Sequence, residues 1–98
     1  MKIEMLEKDL ELQKVLWACY EYWCTETLPP NERDICYSWV VGVYEDRFGT
    51  KFYQSKLQRL VKLGFLEKGD TSRGGNRRYY KIVEPERVAG LLKKWDLS

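Results

Sequence analysis

Residues 50–83 read TKFYQSKLQRLVKLGFLEKGDTSRGGNRRYYKIV, and the changes of pattern within them decide the fold. Tyr53, Leu57, Leu60 and Val61 recur at helical spacing, within about 60° of one direction at ~100° per residue. Thr50 offers an N-cap, and Gly64 offers a left-handed residue at the other end. The spacing predicts a helix over 51–63, with Lys51, Phe52, Ser55, Arg59 and Lys62 facing away from the core and Gln58 beside them. That helix contains no acid. After Gly64 the period changes. Phe65-Leu-Glu-Lys68 reads as a short strand, Asp70–Asn76 as a turn-rich loop, and Arg77-Arg-Tyr-Tyr-Lys-Ile-Val83 as a returning strand. A period of two places Tyr80 and Ile82 on one face and Arg77, Tyr79, Lys81 and Val83 on the other.

Working outward, Leu12, Val15, Leu16, Cys19, Tyr20 and Trp23 form one apolar stripe of a helix over about 9–25, with Asp9 as its N-cap. Residues 1–8 suit either a short strand or an extension of this helix. Leu28-Pro-Pro-Asn31 stops the helix, because paired prolines cannot continue it. Ile35, Trp39, Val40, Val43, Tyr44 and Phe48 then predict a second helix over about 32–48, ended by Gly49. Only a residue or two separates it from the helix that follows, a tight helix–turn–helix connection. Pro85 suits the first position of a last helix over about 85–95, whose stripe is Val88, Leu91, Leu92 and Trp95. The expected fold is α+β and mainly helical, with three core helices, a β-hairpin over about 65–83 and an extra C-terminal helix. With 44% hydrophobic residues in 98, the chain suits one small core and one domain over 1–98.

The run Lys56–Ile82, KLQRLVKLGFLEKGDTSRGGNRRYYKI, resembles the recognition helix and wing of small winged helix–turn–helix transcriptional regulators, the PadR-like and ArsR-like groups among them. The shared pattern is L-x-x-L-x-x-x-G, an apolar strand, a basic glycine-rich wing, then R-x-Y-Y-x-I. The local motif covers residues 50–83, and the helix order extends the match to most of the chain. The resemblance implies that helix 51–63 enters a DNA major groove while the wing, 69–81, lies on the flanking backbone or minor groove. On that reading Arg59 pairs with guanine and Gln58 with adenine, Ser55 contacts either base type, and Phe52 packs on a thymine methyl. Lys51 and Lys62 suit phosphates. Arg73, Asn76, Arg77 and Arg78 belong to the wing, where arginines can also enter a narrow minor groove. The ArsR-type metal-ligand cluster is missing, so the sequence gives no support to metal sensing.

Charge supports the same expectation. Residues 1–48 carry 5 Lys/Arg and 10 Asp/Glu, whereas 51–81 carry 9 Lys/Arg against Glu67 and Asp70 alone. A positive excess confined to about thirty residues suits one face built for a polyanion. The chain has no histidine, which removes the commonest general base and the usual nucleophile pairs. Cys19, Cys24 and Cys36 form no CxxC pair and are too few for a four-cysteine zinc site. They read as free thiols, although a Cys24–Cys36 bridge is conceivable. No apolar run approaches the ~20 residues of a membrane span, and the charged start differs from a signal peptide.

The expectation is a cytoplasmic, non-enzymatic, sequence-specific binder of double-stranded DNA that needs no cofactor and acts as a transcriptional regulator. Winged-helix regulators commonly dimerise, so the resemblance implies a homodimer. The alternative is a winged helix used for protein–protein interaction. Trp17, Tyr20, Tyr22, Trp23, Tyr37, Trp39 and Tyr44 exceed what a small core readily hides, which favours that alternative, whereas the basic second half opposes it. RNA binding has weaker support, since no stacking platform is visible.

Overall fold

The computed structural model describes residues 3–69 and 79–97. The fold is α+β and mainly helical, with one three-stranded antiparallel sheet. Helix α1 (Ile3–Glu7) leads into α2 (Leu10–Thr25), which runs through the middle of the molecule. Strand β1 (Ile35–Cys36), helix α3 (Tyr37–Phe48) and helix α4 (Gln54–Lys62) come next. Strands β2 (Leu66–Lys68) and β3 (Tyr79–Ile82) precede the last helix, α5 (Pro85–Lys94). Helices α1, α3, α4 and α5 all pack on α2.

Asp9 starts α2 by accepting the Leu12 backbone N–H at 3.2 Å, which satisfies one of the helix's opening donors. The expected stripe is only part of what α2 buries. Leu12, Gln13 and the whole run from Val15 to Cys19 lie inside, because neighbouring helices cover more than one of its faces. Gln13 is tolerated there because its amide donates to the Leu6 and Glu7 carbonyls at 3.1 and 3.2 Å. Those bonds occupy carbonyls at the C-terminal end of α1 that lack helical partners. Residues 3–7 are therefore helical, with Leu6 fully buried.

The helix expected over 32–48 is corrected. Pro30–Glu32 forms a 3₁₀ turn, Ile35–Cys36 forms β1, and α3 begins only at Tyr37. Ile35 fits the spacing of a helical stripe, but it pairs instead with Tyr80 of β3, and Cys36 pairs with Tyr79. The ladder occupies backbone groups on that side of β3 while Ile35 becomes fully buried, so the β-branched residue serves the sheet. The strand order is β1-β3-β2, with Leu66 opposite Ile82 and Lys68 opposite Tyr80. Tyr79 and Tyr80 are both buried, so the expected two-faced strand is a central strand covered on both sides.

Gly49 ends α3 at φ 73°, and its N–H bonds the Glu45 carbonyl at 2.9 Å. The connection to α4 is longer than expected, because helical structure resumes at Gln54 and the residue before it, Tyr53, is extended at ψ 155°. Phe52 explains the delay. Its ring is fully buried and stands edge-on to Tyr44 at 4.9 Å and to Tyr37 at 6.0 Å. Tyr53, which periodicity placed in the core, is 73% exposed. At its other end α4 closes through Gly64, at φ 88°. The Gly64 N–H bonds the Val61 carbonyl at 3.1 Å, and the Phe65 N–H bonds the Leu60 carbonyl at 3.0 Å. This paired bonding, with a buried Phe65 behind it, is a Schellman closure.

All three cysteines are free, Cys19 and Cys36 buried and Cys24 exposed. Burial pushes the Cys19 thiol up from its ordinary range, which leaves it a neutral packing group. Of the seven rings in the first two helical segments, Trp17, Trp23 and Tyr44 are buried and Trp39 is exposed, stacked on Tyr22 at 5.3 Å. Among the described residues no helix is long and apolar enough to cross a membrane.

Candidate nucleic-acid interface

Helix α4 divides its residues by face. Leu57 and Leu60 are fully buried against the core, while Ser55, Gln58, Arg59 and Lys62 are exposed. These four stand at i, i+3, i+4 and i+7, which is one stripe on the solvent side. Together with Lys56 they line a shallow groove. Carboxylates are absent from α4, and among the described residues none lies within 4 Å of Lys51, Arg59 or Lys62.

Several cations elsewhere are differently employed. Lys56 pairs with Glu11 of α2 at 3.6 Å, Lys94 with Glu7 at 3.2 Å and Arg87 with Glu84 at 4.0 Å. The Arg33 guanidinium lies 4.4 Å from the Trp23 ring centre, and that of Arg47 lies 4.3 Å from the Trp17 ring centre. Both side chains also donate to backbone carbonyls, Arg33 to Leu28 at 2.7 Å and Arg47 to Leu97 at 3.2 Å. Stacking and hydrogen bonding make Arg33 and Arg47 part of the fold. The stripe on α4 keeps its charge facing water.

The start of α4 is fastened to the sheet. The Gln54 amide donates to the Tyr80 hydroxyl at 3.1 Å, and α4 also packs on β2. At the base of the β2–β3 hairpin, the Gly69 N–H bonds the Tyr79 carbonyl at 2.8 Å. A side-chain carbon at Gly69 would meet Asp34 Oδ1 at 3.1 Å and the Tyr79 backbone at 3.2 Å. Buried Asp34 in turn holds Lys81, whose Nζ lies 3.4 Å from Oδ1 and donates to the Asn31 carbonyl at 3.0 Å. Lys81 is therefore tied to the loop before β1.

The structure gathers Ser55, Gln58, Arg59 and Lys62 on one face, with Lys51 exposed in the segment leading into α4. It removes Phe52, whose burial closes it to any thymine methyl. The error comes from extending the helical angle through residues that are not helical. Tyr53 takes the exposed place, a reversal that the polar–apolar alternation of Lys51-Phe52 could have signalled. Arg73, Asn76, Arg77 and Arg78 lie outside the described residues. Tyr79 is buried in the sheet and so unavailable for base stacking. The chain matches no protein-family model, no curated protein and no solved structure.

Proposed function

We propose that this chain is a winged helix–turn–helix protein that binds double-stranded DNA, with α4 as its recognition helix and β2–β3 as the base of its wing. The observation that carries the reading is the exposed stripe Ser55, Gln58, Arg59 and Lys62 on a helix without acids. The arrangement of the elements supports it. Helices α3 and α4 are consecutive and both pack on α2, and a short strand before α3 completes a β1-β3-β2 sheet beside α4. At nine residues, α4 is about 13 Å long, which suits a major groove about 12 Å wide.

Each side chain in the stripe has a task its chemistry can perform. Arg59 presents a planar fork to guanine O6 and N7, and the Gln58 amide matches the donor and acceptor of adenine. Ser55 can donate to or accept from a base edge, while Lys62 and Lys51 neutralise phosphates. Arg73, Asn76, Arg77 and Arg78 supply the wing's contacts in this reading. A homodimer would present two copies of α4 to half-sites about one DNA turn apart, and light scattering with and without DNA tests that stoichiometry. Regulation of transcription is the simplest role for such a protein.

A second reading has its own observation. Trp39 is 42% exposed and stacked on Tyr22, an open aromatic pair of the kind that protein interfaces favour. Anisotropy of a labelled random-sequence duplex across a salt series separates the two readings. On the DNA reading the wild type binds at micromolar concentration, and Lys62→Ala weakens binding and lowers the salt slope by about 0.9. Absence of binding even at low salt refutes DNA binding and turns attention to partners of Trp39.

A further inference from the structure

Lys51, Phe52 and Tyr53 are exposed, buried and exposed in turn, the alternation of an extended segment whose odd members share a side. Tyr53 itself is extended, at φ −99° and ψ 155°. The buried member is held firmly, since the Phe52 ring is fully enclosed and in edge contact with Tyr37 and Tyr44. The residue after Tyr53 is held too, by the bond from the Gln54 amide to Tyr80. The backbone that carries Tyr53 is thus pinned on both sides, although the tyrosine ring is 73% exposed. A large aromatic left this open on a pinned segment, next to a lysine and before a stripe free of carboxylates, has a surface suited to a polyanion.

We propose that Lys51 and Tyr53 form a phosphate clamp on the DNA backbone at the edge of the groove that α4 enters. This rests on the DNA-binding reading above. The two residues divide the work. The Lys51 ammonium neutralises the phosphate and displaces a counterion, whereas the neutral Tyr53 hydroxyl donates a hydrogen bond to a phosphate oxygen. Residues two apart in extended chain lie about 6.6 Å from one another, close enough for side chains of this length to converge on one phosphate. Because Phe52 fixes the segment before DNA arrives, little ordering remains to oppose the contact. The clamp sets where α4 stands along the duplex, and Gln58 and Arg59 then read bases from that position.

The division of labour supplies the test. Tyr53→Phe keeps the ring and removes only the donor, while Lys51→Ala removes only the charge. Binding of a labelled random-sequence duplex is measured by anisotropy across a salt series for both variants and the wild type, with thermal melts to verify folding. Tyr53→Phe should weaken binding about tenfold at every salt concentration with the slope unchanged. Lys51→Ala should reduce the slope by about 0.9. Wild-type affinity in Tyr53→Phe overturns the clamp while leaving DNA binding standing, as does an unchanged slope in Lys51→Ala. Loss in Tyr53→Ala with full affinity in Tyr53→Phe also overturns it, since the contact would then be to the ring. A wild type that does not bind DNA overturns the clamp together with the function on which it rests.

Discussion

Replacing Phe52 by alanine tests the part of the structure where periodicity and packing disagree. If α4 began at Thr50 or Lys51, as the spacing suggests, Phe52 would face solvent and its removal would change stability by no more than about 0.5 kcal/mol. In the structure the ring is fully enclosed between Tyr37 and Tyr44, with ring centres at 6.0 and 4.9 Å. Truncating such a phenylalanine removes its transfer free energy, leaves a cavity and forfeits two edge contacts, a loss of about 3–5 kcal/mol. That is a large share of the ~5–15 kcal/mol that holds a domain of this size together. The assay is urea unfolding followed by circular dichroism, and the midpoint should fall sharply with little change in the m-value. Tyr53→Ala is the internal control and should stay within about 0.5 kcal/mol of wild type. The reasoning fails if Phe52→Ala costs less than about 1 kcal/mol, or if the two variants exchange their effects.

Other perturbations address separate parts of the fold. Gly69→Ala should destabilise by about 1–3 kcal/mol, because the added carbon would stand 3.1 Å from Asp34 Oδ1 and 3.2 Å from the Tyr79 backbone, and amide exchange in β3 should speed up with it. Asp9→Ala should cost about 1 kcal/mol in urea unfolding by removing the bond to the Leu12 N–H. Tyr22 provides a test in alkali. Burial, followed by the nearby Glu26 carboxylate, pushes its hydroxyl from 10.0 up to about 12, so the folded chain keeps a proton that the unfolded chain releases. The resulting stability is present below about pH 10 and is lost as pH rises towards about 12. Comparing urea midpoints for wild type and Tyr22→Phe across that window should show a steeper decline in the wild type.

The sequence made α2 and the later part of α4 legible because local signals agreed. Asp9, the proline pair after Leu28, and Gly64 mark ends, and the apolar residues between them keep one helical period. The stripe Ser55, Gln58, Arg59 and Lys62 lies on a single face because those residues are in fact helical. Strand β1 could not be read in the same way. Ile35 and Cys36 fit a helical stripe as well as a strand, and what decides between them is pairing with Tyr80 and Tyr79, distant in sequence. Phe52 and Tyr53 were exchanged for a related reason. Thr50 resembles a cap, but a pocket between Tyr37 and Tyr44 holds Phe52 in extended chain and delays the helix. Tertiary packing outweighed local propensity at both places.

The central position of β3 also sets the order of events during synthesis. Its neighbours β1 and β2 are both made earlier, and neither pairs with the other. Residues 35–36 and 66–68 must therefore leave the ribosome as two orphan edges, each waiting for Tyr79–Ile82. No sheet exists until that last strand is made, since both ladders run to it. Helices α2, α3 and α4 can pack while the chain is still growing, and β1 and β2 touch those helices, but their ladders to β3 form only once Tyr79–Ile82 is made. A nascent chain paused before Tyr79 would be a helical cluster with unmatched strand edges, and chaperone capture should be strongest there.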